Sequence, residues 1–255
     1  MPVIVEPHAH SYGRAADAYE RGRPGYPAEA VAHLMRTLGI ASGSTVLDLA
    51  AGTGKFTHEL AATGARILAV EPVAGMRAKL MERLPDTTAL EGTAEAIPIP
   101  DGAVDAVTVA QAFHWFRGPE ALAEIHRVLR PGGGLALIWN VRDESVDWVR
   151  RISDMMDPHN GGAPRYHTGL WRAAFAVPNG FTALEVKRFP FAHESTIEQV
   201  VDRVGSTSFV AGLPESERLS LLGEVRRLLR QHPHTAGRER IVFPYTTEVY
   251  ACRRA

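Results

Sequence analysis

The chain has 255 residues, of which 45% are apolar and 22% are charged, a length and composition that suit one or two folded domains and exclude a disordered chain. The net charge of −1 provides no overall attraction to nucleic acid or to an anionic membrane. The single cysteine, Cys252, excludes an intramolecular disulfide and a cysteine-based metal cluster. We expect a cytoplasmic protein, because residues 1–10 lack a secretory pattern and no apolar run reaches about 18 residues. We also expect no bound metal, because the histidine pairs at 8 and 10 and at 232 and 234 lack a third ligand.

The first half of the chain alternates strand patterns with helical patterns. Short apolar and β-branched runs predict five strands, at 44–50, 66–70, 87–91, 103–109 and 135–141. Apolar residues at helical spacing predict three helices, one from the glycine turn to about 62, one at 74–84 and one at 119–129. Pro131 and the three glycines after it predict a break before the fifth strand. This alternation is typical of βαβ units and predicts a parallel sheet.

The second half has a different pattern. It contains helical patterns at 143–156, 196–204 and 214–231, a loop at 157–164, and strand patterns at 181–191 and 241–252. Because no crossover pattern suits parallel pairing of the last two strands, we expect them to form an antiparallel pair at the edge of the sheet.

A glycine turn follows the first strand, where Gly52 and Gly54 precede a helix. At this position an open sheet presents backbone N–H groups to a ligand. Glu71 ends the next strand, where its carboxylate can accept both ribose hydroxyl protons, and the negative charge of Asp48 at the mouth suits a cofactor with an ammonium and a sulfonium. The pattern fits a binding site for a nicotinamide dinucleotide or for S-adenosylmethionine. A purely structural turn without a ligand is the third possibility.

Two phosphate-binding motifs fit the turn poorly. The dinucleotide fingerprint expects a third glycine where Thr57 stands, and Asp48 would repel a pyrophosphate. A phosphate-binding loop requires a glycine and a hydroxyl at the positions of Leu49 and Phe56.

The ordered motifs resemble those of the class I S-adenosylmethionine-dependent methyltransferases with a type 11 domain. The resemblance rests on 46–54 followed by Glu71 and Pro72, and on 92–98, 105–111 and 131–134. It implies a Rossmann-like α/β fold: a seven-stranded, mostly parallel sheet with helices on both faces, an antiparallel edge strand and a helical cap. It also implies that S-adenosyl-L-methionine is the cofactor and that its sulfonium methyl passes in line to an oxygen, nitrogen or carbon nucleophile of a small molecule.

The resemblance assigns parts of the single domain, 1–255, to separate tasks. We expect an N-terminal lid at 12–40, a cofactor-binding core at 44–141, substrate cap segments at 143–180 and 195–235, and terminal strands at 181–191 and 241–252. The implied cofactor-binding residues are Tyr19, Arg23, Asp48, Ala50, Gly52, Gly54, Glu71, Pro72, Met76, Thr93, Ala94, Glu95, Ala110 and Gln111.

Two positions depart from the family pattern. Ala50 replaces the first glycine of the turn, so we expect its backbone to avoid positive φ. Thr93 replaces an aspartate that often contacts the adenine amino group, and backbone groups of Ala94 would take over that contact.

The N-terminal signature of residues 12–27 resembles that of small-molecule methyltransferases similar to trans-aconitate methyltransferases, as does the segment 110–116. The resemblance implies that Tyr19 and Arg23 close the site and that Arg23 can bind a carboxylate. It also implies a set of substrate-contacting residues, namely Tyr12, Trp115, Phe116 and Arg142.

His114 is the candidate catalytic residue because it follows the strand whose end faces the cofactor methyl group. A neutral imidazole there can remove a proton from the nucleophile, with an acid limb near its ordinary pKa of ~6.5. A structural histidine packed beside Trp115 is the alternative. A carboxylate acceptor would need no base, and Arg23 or Arg142 would then matter more.

Two other functions remain open at this point. A nicotinamide-dependent oxidoreductase is disfavoured by the missing third glycine. A non-catalytic S-adenosylmethionine-binding protein would bind the cofactor and transfer nothing. The arginines of the helix at 214–231 are balanced by Glu215, Glu217 and Glu224, which indicates a solvated face rather than a nucleic-acid interface.

Overall fold

The computed structural model describes residues 22–255. Its centre is one sheet of seven strands: β1 (Thr45–Leu49), β2 (Arg66–Val70), β3 (Thr88–Leu90), β4 (Val104–Ala110), β5 (Leu129–Arg142), β6 (Glu185–Ser195) and β7 (Ile241–Arg253). Their order across the sheet is β3-β2-β1-β4-β5-β7-β6. The pairs among β1 to β5 are parallel, and β7 is antiparallel to both β5 and β6. The predicted, mostly parallel sheet with antiparallel pairing at its edge is confirmed.

Helices connect most of these strands. They are α1 (Ala28–Leu38), α2 (Lys55–Ala61), α3 (Ala74–Arg83), α4 (Gly118–Val128), α5 (Asp147–Met156), α6 (Ile197–Gly205), α7 (Ser208–Ala211) and α8 (Glu215–Gln231). Short 3₁₀ turns lie at Phe113–Trp115, Asp157–His159, Tyr166–Thr168 and Leu170–Phe175. None of the helices in the described part of the chain is long and apolar enough to cross a membrane.

Successive strand residues point to opposite faces of the sheet and enter two separate cores. In β1, Leu47 and Leu49 pack in one core with α4, whereas Val46 packs in the other with α1 and α2. Strands buried on both faces need continuous apolar runs, which explains why β1, β2 and β4 were recognisable as such in the sequence. The expected helices on both faces are therefore present.

The break predicted at residues 131–134 is wrong, because β5 already begins at Leu129. Leu129 pairs with Val104, and regular pairing resumes between Gly134 and Ala106 after a shift in register. Gly133 makes this irregularity possible, because a Cβ atom there would lie 2.9 Å from the Asp105 carbonyl oxygen. The glycines thus accommodate a bulge rather than end a strand.

The N-terminal lid predicted at 12–40 has to be shortened. Ala30, Leu34 and Leu38 of α1 are buried against one face of the sheet, so this helix belongs to the core. Its apolar residues follow helical spacing and bury one face, which explains this position. Only the segment ahead of α1 remains available as a lid, and of that segment residues 1–21 lie outside the described range.

A third core joins α5, α6, α7 and α8 to the first residues of β7. The predicted cap segment at 143–180 divides between two cores: Trp148 of α5 packs in this third core, whereas Trp171 packs against the sheet beside Trp139. The helical layer is therefore built by 147–156 together with 197–231, and the 3₁₀ turns around Trp171 belong to the sheet core.

The connectivity defines where a ligand binds. β1 pairs with β2 on one side and with β4 on the other, so the strand order reverses between β1 and β4. In open α/β sheets, ligands bind outside the carboxyl ends of the strands at such a reversal. The residues that follow β1, β2, β4 and β5 therefore converge on one crevice.

Candidate active site

The glycine turn after β1 has three residues in the left-handed region: Ala50 at φ 57°, Gly52 at φ 60° and Gly54 at φ 80°. The expectation that Ala50 avoids positive φ is wrong. The chain must reverse direction between β1 and α2 within a few residues, and this geometry imposes the same conformation whether the residue is glycine or alanine. For alanine the left-handed conformation costs roughly 1–2 kcal/mol, so the conformation of Ala50 lowers the free energy of unfolding.

Glu71 ends β2 directly beside this turn and is almost completely buried. Its Oε2 accepts the Gly52 N–H at 2.9 Å and its Oε1 accepts the Val73 N–H at 2.9 Å. Burial raises the pKa of Glu71, and the two N–H donors and Arg77 oppose that shift. Because a carboxylate oxygen has two lone pairs, each oxygen keeps an acceptor position for a further hydroxyl.

Further residues assigned to the cofactor lie beside this carboxylate. A Cβ atom on Gly52 would lie 3.9 Å from the Met76 sulfur, so α3 borders the turn, and Pro72 joins Glu71 to that helix. Gly54 approaches Leu80 of α3 closely. The structure therefore brings Gly52, Glu71 and Met76 together, as the sequence predicts.

Asp48 does not lie at the mouth of the turn as expected. It is fully buried, and its two oxygens accept the Thr57 hydroxyl at 2.7 Å and the Thr108 hydroxyl at 3.2 Å. Burial raises the pKa of Asp48 to about 7, although both hydroxyls oppose the shift. The two hydroxyl donors belong to α2 and β4, so the Asp48 side chain lies beneath the turn, between these two elements.

The segment after β3 is held by internal contacts. Thr93 forms an isolated bridge with Ala96, and Ala94 is buried in the core. The Glu95 carboxylate accepts the Arg117 N–H at 2.9 Å, so it fixes the segment ahead of α4. Thr93 and Ala94 thus stand at the carboxyl side of β3, while Glu95 has a structural partner.

A cavity of about 200 Å³ lies beyond the carboxyl ends of β4 and β5. Gln111, which follows Ala110 of β4, lines it in the left-handed conformation with φ 61° and donates its N–H to the Ile138 carbonyl at 2.8 Å. Of the predicted substrate residues, Trp115 and Arg142 line the cavity. Phe116 is not among the lining residues; it packs against Phe113 with ring centroids 5.4 Å apart, because its side chain faces the sheet core.

The cavity lining is strongly basic. It includes four arginines, two histidines and one carboxylate, namely Arg23, Arg142, Arg165, Arg203, His114, His167 and Glu144. The guanidinium of Arg142 donates to the Ser153 hydroxyl at 3.3 Å and contacts the Met156 sulfur at 3.2 Å. Arg165 forms an ion pair with Asp157 at 2.6 Å. Within residues 22–255, Arg142 has no carboxylate in ion-pair distance.

His114 lies in the 3₁₀ turn after β4 and lines the same cavity. Its Nδ1 accepts the Trp139 indole N–H at 3.3 Å. Burial lowers the pKa of His114 to about 3, and the charges of Arg23, Arg165 and His167 add to the shift. A group with so low a pKa is a weak base at neutral pH, and an acid limb near pH ~6.5 is no longer expected.

The comparisons with known proteins agree with this geometry. A family model described as a methyltransferase domain matches residues 47–137. An uncharacterized methyltransferase of Mycobacterium tuberculosis is 41% identical over 245 residues, which cover 96% of this chain and 95% of the relative. The chain belongs to the class I S-adenosylmethionine-dependent methyltransferases.

Solved structures support the fold of this methyltransferase. The YcgJ protein of Bacillus subtilis has a TM-score of 0.59 at 18% identity, covering 89% of this chain and 98% of that protein. A phosphoethanolamine N-methyltransferase of Haemonchus contortus, solved with S-adenosylhomocysteine, has a TM-score of 0.59 at 16% identity over 95% of this chain and 57% of that protein. At these identities the likeness shows the fold alone.

The cofactor of this methyltransferase is S-adenosylmethionine, and the residues present fit it. The buried Glu71 carboxylate keeps one acceptor position on each oxygen, which matches a ribose diol. The nicotinamide alternative loses its remaining support at Thr57, whose side chain is committed to Asp48 where a third glycine would be needed. Tyr12 and Tyr19 lie outside the described residues.

Sequence reasoning missed four residues around the candidate site. Lys55 donates to the Arg23 carbonyl at 2.7 Å, and Asn140 donates to the Gly25 carbonyl at 2.8 Å, so both position the segment ahead of α1. Arg165 and Arg203 come from segments without a readable motif, and only the fold shows that they face the cavity.

Proposed function

We propose that this methyltransferase methylates a small carboxylic acid on a carboxylate oxygen. The observation that carries the proposal is the cavity beside His114, in which four arginines meet a single glutamate. A concave site in which one charge sign predominates attracts and orients a substrate of the opposite sign. Arginine recognises carboxylates through paired N–H donors, so the lining chemistry matches this substrate class.

Arg142 is the residue we assign to the acceptor carboxylate. Arg142 is half-buried, and the side chains to which its guanidinium donates are a hydroxyl and a thioether, both uncharged. Burial lowers the pKa of Arg142, the direction expected of a cation removed from water; the Arg165 and Arg23 charges add to this shift, and Tyr245 and Glu144 oppose it. An anion bound in the cavity would compensate that cost.

The acceptor chemistry also agrees with the state of His114. When bound, S-adenosylmethionine supplies an electrophilic methyl group on its sulfonium. A carboxylate is already ionised at neutral pH, so no residue has to remove a proton. The tasks left to the chain are to bind the cofactor through Glu71 and the glycine turn, to orient the acid with Arg142, and to exclude water.

The N-terminal segment supports the same proposal. Arg23 lines the cavity, and its guanidinium donates to the Ser206 carbonyl at 3.3 Å, which places it between the segment and the end of α6. We infer that Arg23 helps to close the site over the acceptor, as the sequence signature implies. The size of the cavity, about 200 Å³, supports a small-molecule acceptor.

A paired screen tests the proposal. Small carboxylic acids and their matching primary amides are incubated with methyl-labelled S-adenosylmethionine, and the products are analysed by mass spectrometry before and after alkaline hydrolysis. We expect label on acids alone, removable by alkali as from a methyl ester. Label on amides, amines or alcohols, or cofactor binding without transfer to any acid, would contradict the proposal. Glu71→Ala serves as the control that lowers labelling when S-adenosylmethionine is below saturation.

A further inference from the structure

The hydrogen bond between Trp139 and His114 determines which imidazole nitrogen carries the proton. Trp139 of β5 is 1% exposed, and its Nε1–H donates to His114 Nδ1 at 3.3 Å. An indole nitrogen can only donate, so Nδ1 must supply a lone pair. A neutral imidazole with a bare Nδ1 carries its hydrogen on Nε2.

The indole is itself held in place by a ring cluster. Its centroid lies 4.8 Å from the Tyr166 ring, 4.7 Å from the Trp171 ring and 5.8 Å from the Tyr250 ring. The hydroxyls of Tyr166 and Tyr250 both donate to the Glu248 carboxylate, which anchors two of these rings. Rotation of the Trp139 indole would disrupt the whole cluster, so the direction of its N–H is fixed.

We propose that Trp139 is a positioning residue that holds His114 in the Nε2–H form, so that the histidine presents a hydrogen-bond donor to the acceptor. Within residues 22–255, His114 forms no other hydrogen bond, which leaves Nε2 available in the cavity that the ring lines. A donor at this position suits a carboxylate oxygen. The identity of the acceptor rests on the proposed function, whereas the protonation of the ring nitrogens does not.

The charges around the imidazole determine its protonation state once the indole donor is lost. Arg23, Arg165 and His167 act on His114, and Arg142, Arg203 and Glu144 share the cavity. Because cations predominate, loss of the indole donor should leave the ring neutral at neutral pH. The expected consequence is a mixture of the two neutral forms, with hydrogen on Nδ1 in part of the molecules.

Nitrogen-15 NMR of the full chain with labelled histidine shows directly which imidazole nitrogen carries the hydrogen. His114→Gln identifies the signals of His114 in long-range proton–nitrogen spectra. In the wild type we expect a bare Nδ1 and a protonated Nε2, unchanged between about pH 6 and 8. The Trp139 indole proton should move upfield in His114→Gln as its acceptor is replaced. A protonated Nδ1 in the wild type would overturn the proposal, as would a Trp139 indole proton whose chemical shift is the same in His114→Gln.

Trp139→Phe and Trp171→Phe form a matched pair. Both remove an indole N–H from the same cluster, but the Trp171 N–H donates to the Tyr166 carbonyl at 3.2 Å rather than to His114. Trp139→Phe should give a mixed tautomer signal and about a tenfold lower kcat with unchanged S-adenosylhomocysteine affinity. Trp171→Phe should keep the Nε2–H signal. Equal changes in both variants would indicate general loosening and contradict a specific role for Trp139.

This test separates the two proposals. If no carboxylic acid is methylated, the proposed function fails while the nitrogen spectra still report the tautomer. If acids are methylated but the wild-type Nδ1 carries hydrogen, the positioning role of Trp139 fails alone.

Discussion

The Lys55 ammonium donates to the Arg23 carbonyl oxygen at 2.7 Å, which joins the first residue of α2 to the segment ahead of α1. Asn140 holds the next part of that segment through the Gly25 carbonyl. On its other side, Gly22 packs directly against the backbone of α6 at Arg203. Residues 22–25 are therefore confined between the glycine turn, the sheet and the helical layer.

The close approach at Gly22 predicts a specific mutational effect. A Cβ atom there would lie 2.3 Å from the Arg203 backbone nitrogen, whereas a Cβ atom on Gly25 would meet nothing within 4 Å. Forcing an atom into so tight a contact costs ~1–3 kcal/mol, so the segment must move away from α6. Gly22→Ala should lower kcat/KM about tenfold, and Gly25→Ala should leave it within about twofold. Steady-state kinetics with an identified acceptor measure both values. Equal losses of kcat/KM in Gly22→Ala and Gly25→Ala would contradict the confinement of this segment.

Removal of the Glu71 carboxylate should weaken cofactor binding. Loss of a charged hydrogen-bonding partner costs ~1.5–3 kcal/mol, so Glu71→Ala should raise the Kd of S-adenosylhomocysteine tenfold or more. Glu71→Gln, which keeps one acceptor oxygen, should fall between Glu71→Ala and the wild type. Glu82→Ala on the exposed side of α3 is the control. Calorimetry that shows the same Kd for Glu71→Ala and the wild type would refute the assignment.

The left-handed conformation of Ala50 predicts opposite effects at two adjacent alanines. Ala50→Gly removes a cost of roughly 1–2 kcal/mol and adds about 0.5–1 kcal/mol of chain entropy, so the free energy of unfolding should rise slightly. Ala51 lies outside the left-handed region. Ala51→Gly should therefore lower the free energy of unfolding by about 0.5–1 kcal/mol. Urea denaturation measures both; a loss of stability in Ala50→Gly would show that the turn is unstrained.

Much of the fold follows from the sequence because the parallel strands are buried on both faces. β2 was predicted with its observed bounds, since Ile67 and Val70 belong to an uninterrupted apolar run between a glycine and a proline region. The start of β5 was missed because Pro131 and its glycines have the local signature of a turn, and only the pairing with β4 shows a bulge.

The site was only partly predictable. Glu71 and Gly52 belong to ordered motifs, so their proximity could be expected. The left-handed φ of Ala50 could not, because the local preference of alanine opposes it and the fold imposes it. Arg165 and Arg203 reach the cavity through the packing of distant segments, and no local pattern encodes that arrangement.

The buried Asp48 predicts a pH dependence of stability. Its pKa is about 7 in the folded protein and ~3.9 in an unfolded chain. Between these values the folded state binds more protons, so the contribution of Asp48 to the free energy of unfolding falls as the pH rises from about 4 to 7. Asp48→Asn removes this ionisation and should flatten the decline in thermal stability over that range. The exposed Asp86→Asn is the control; a parallel decline in Asp48→Asn and the wild type would contradict the assignment.

In the proposed reaction, an acceptor carboxylate binds Arg142 while S-adenosylmethionine binds at Glu71. The most direct test is kcat/KM of an identified acid for Arg142→Gln, measured together with the Kd of S-adenosylhomocysteine. The exposed Arg150→Gln on α5 is the matched control. Because a charged hydrogen bond contributes ~1.5–3 kcal/mol, we predict that Arg142→Gln loses kcat/KM by about ten- to a hundredfold at an unchanged Kd. An Arg142→Gln enzyme that methylates the acid as fast as Arg150→Gln would contradict this role of Arg142.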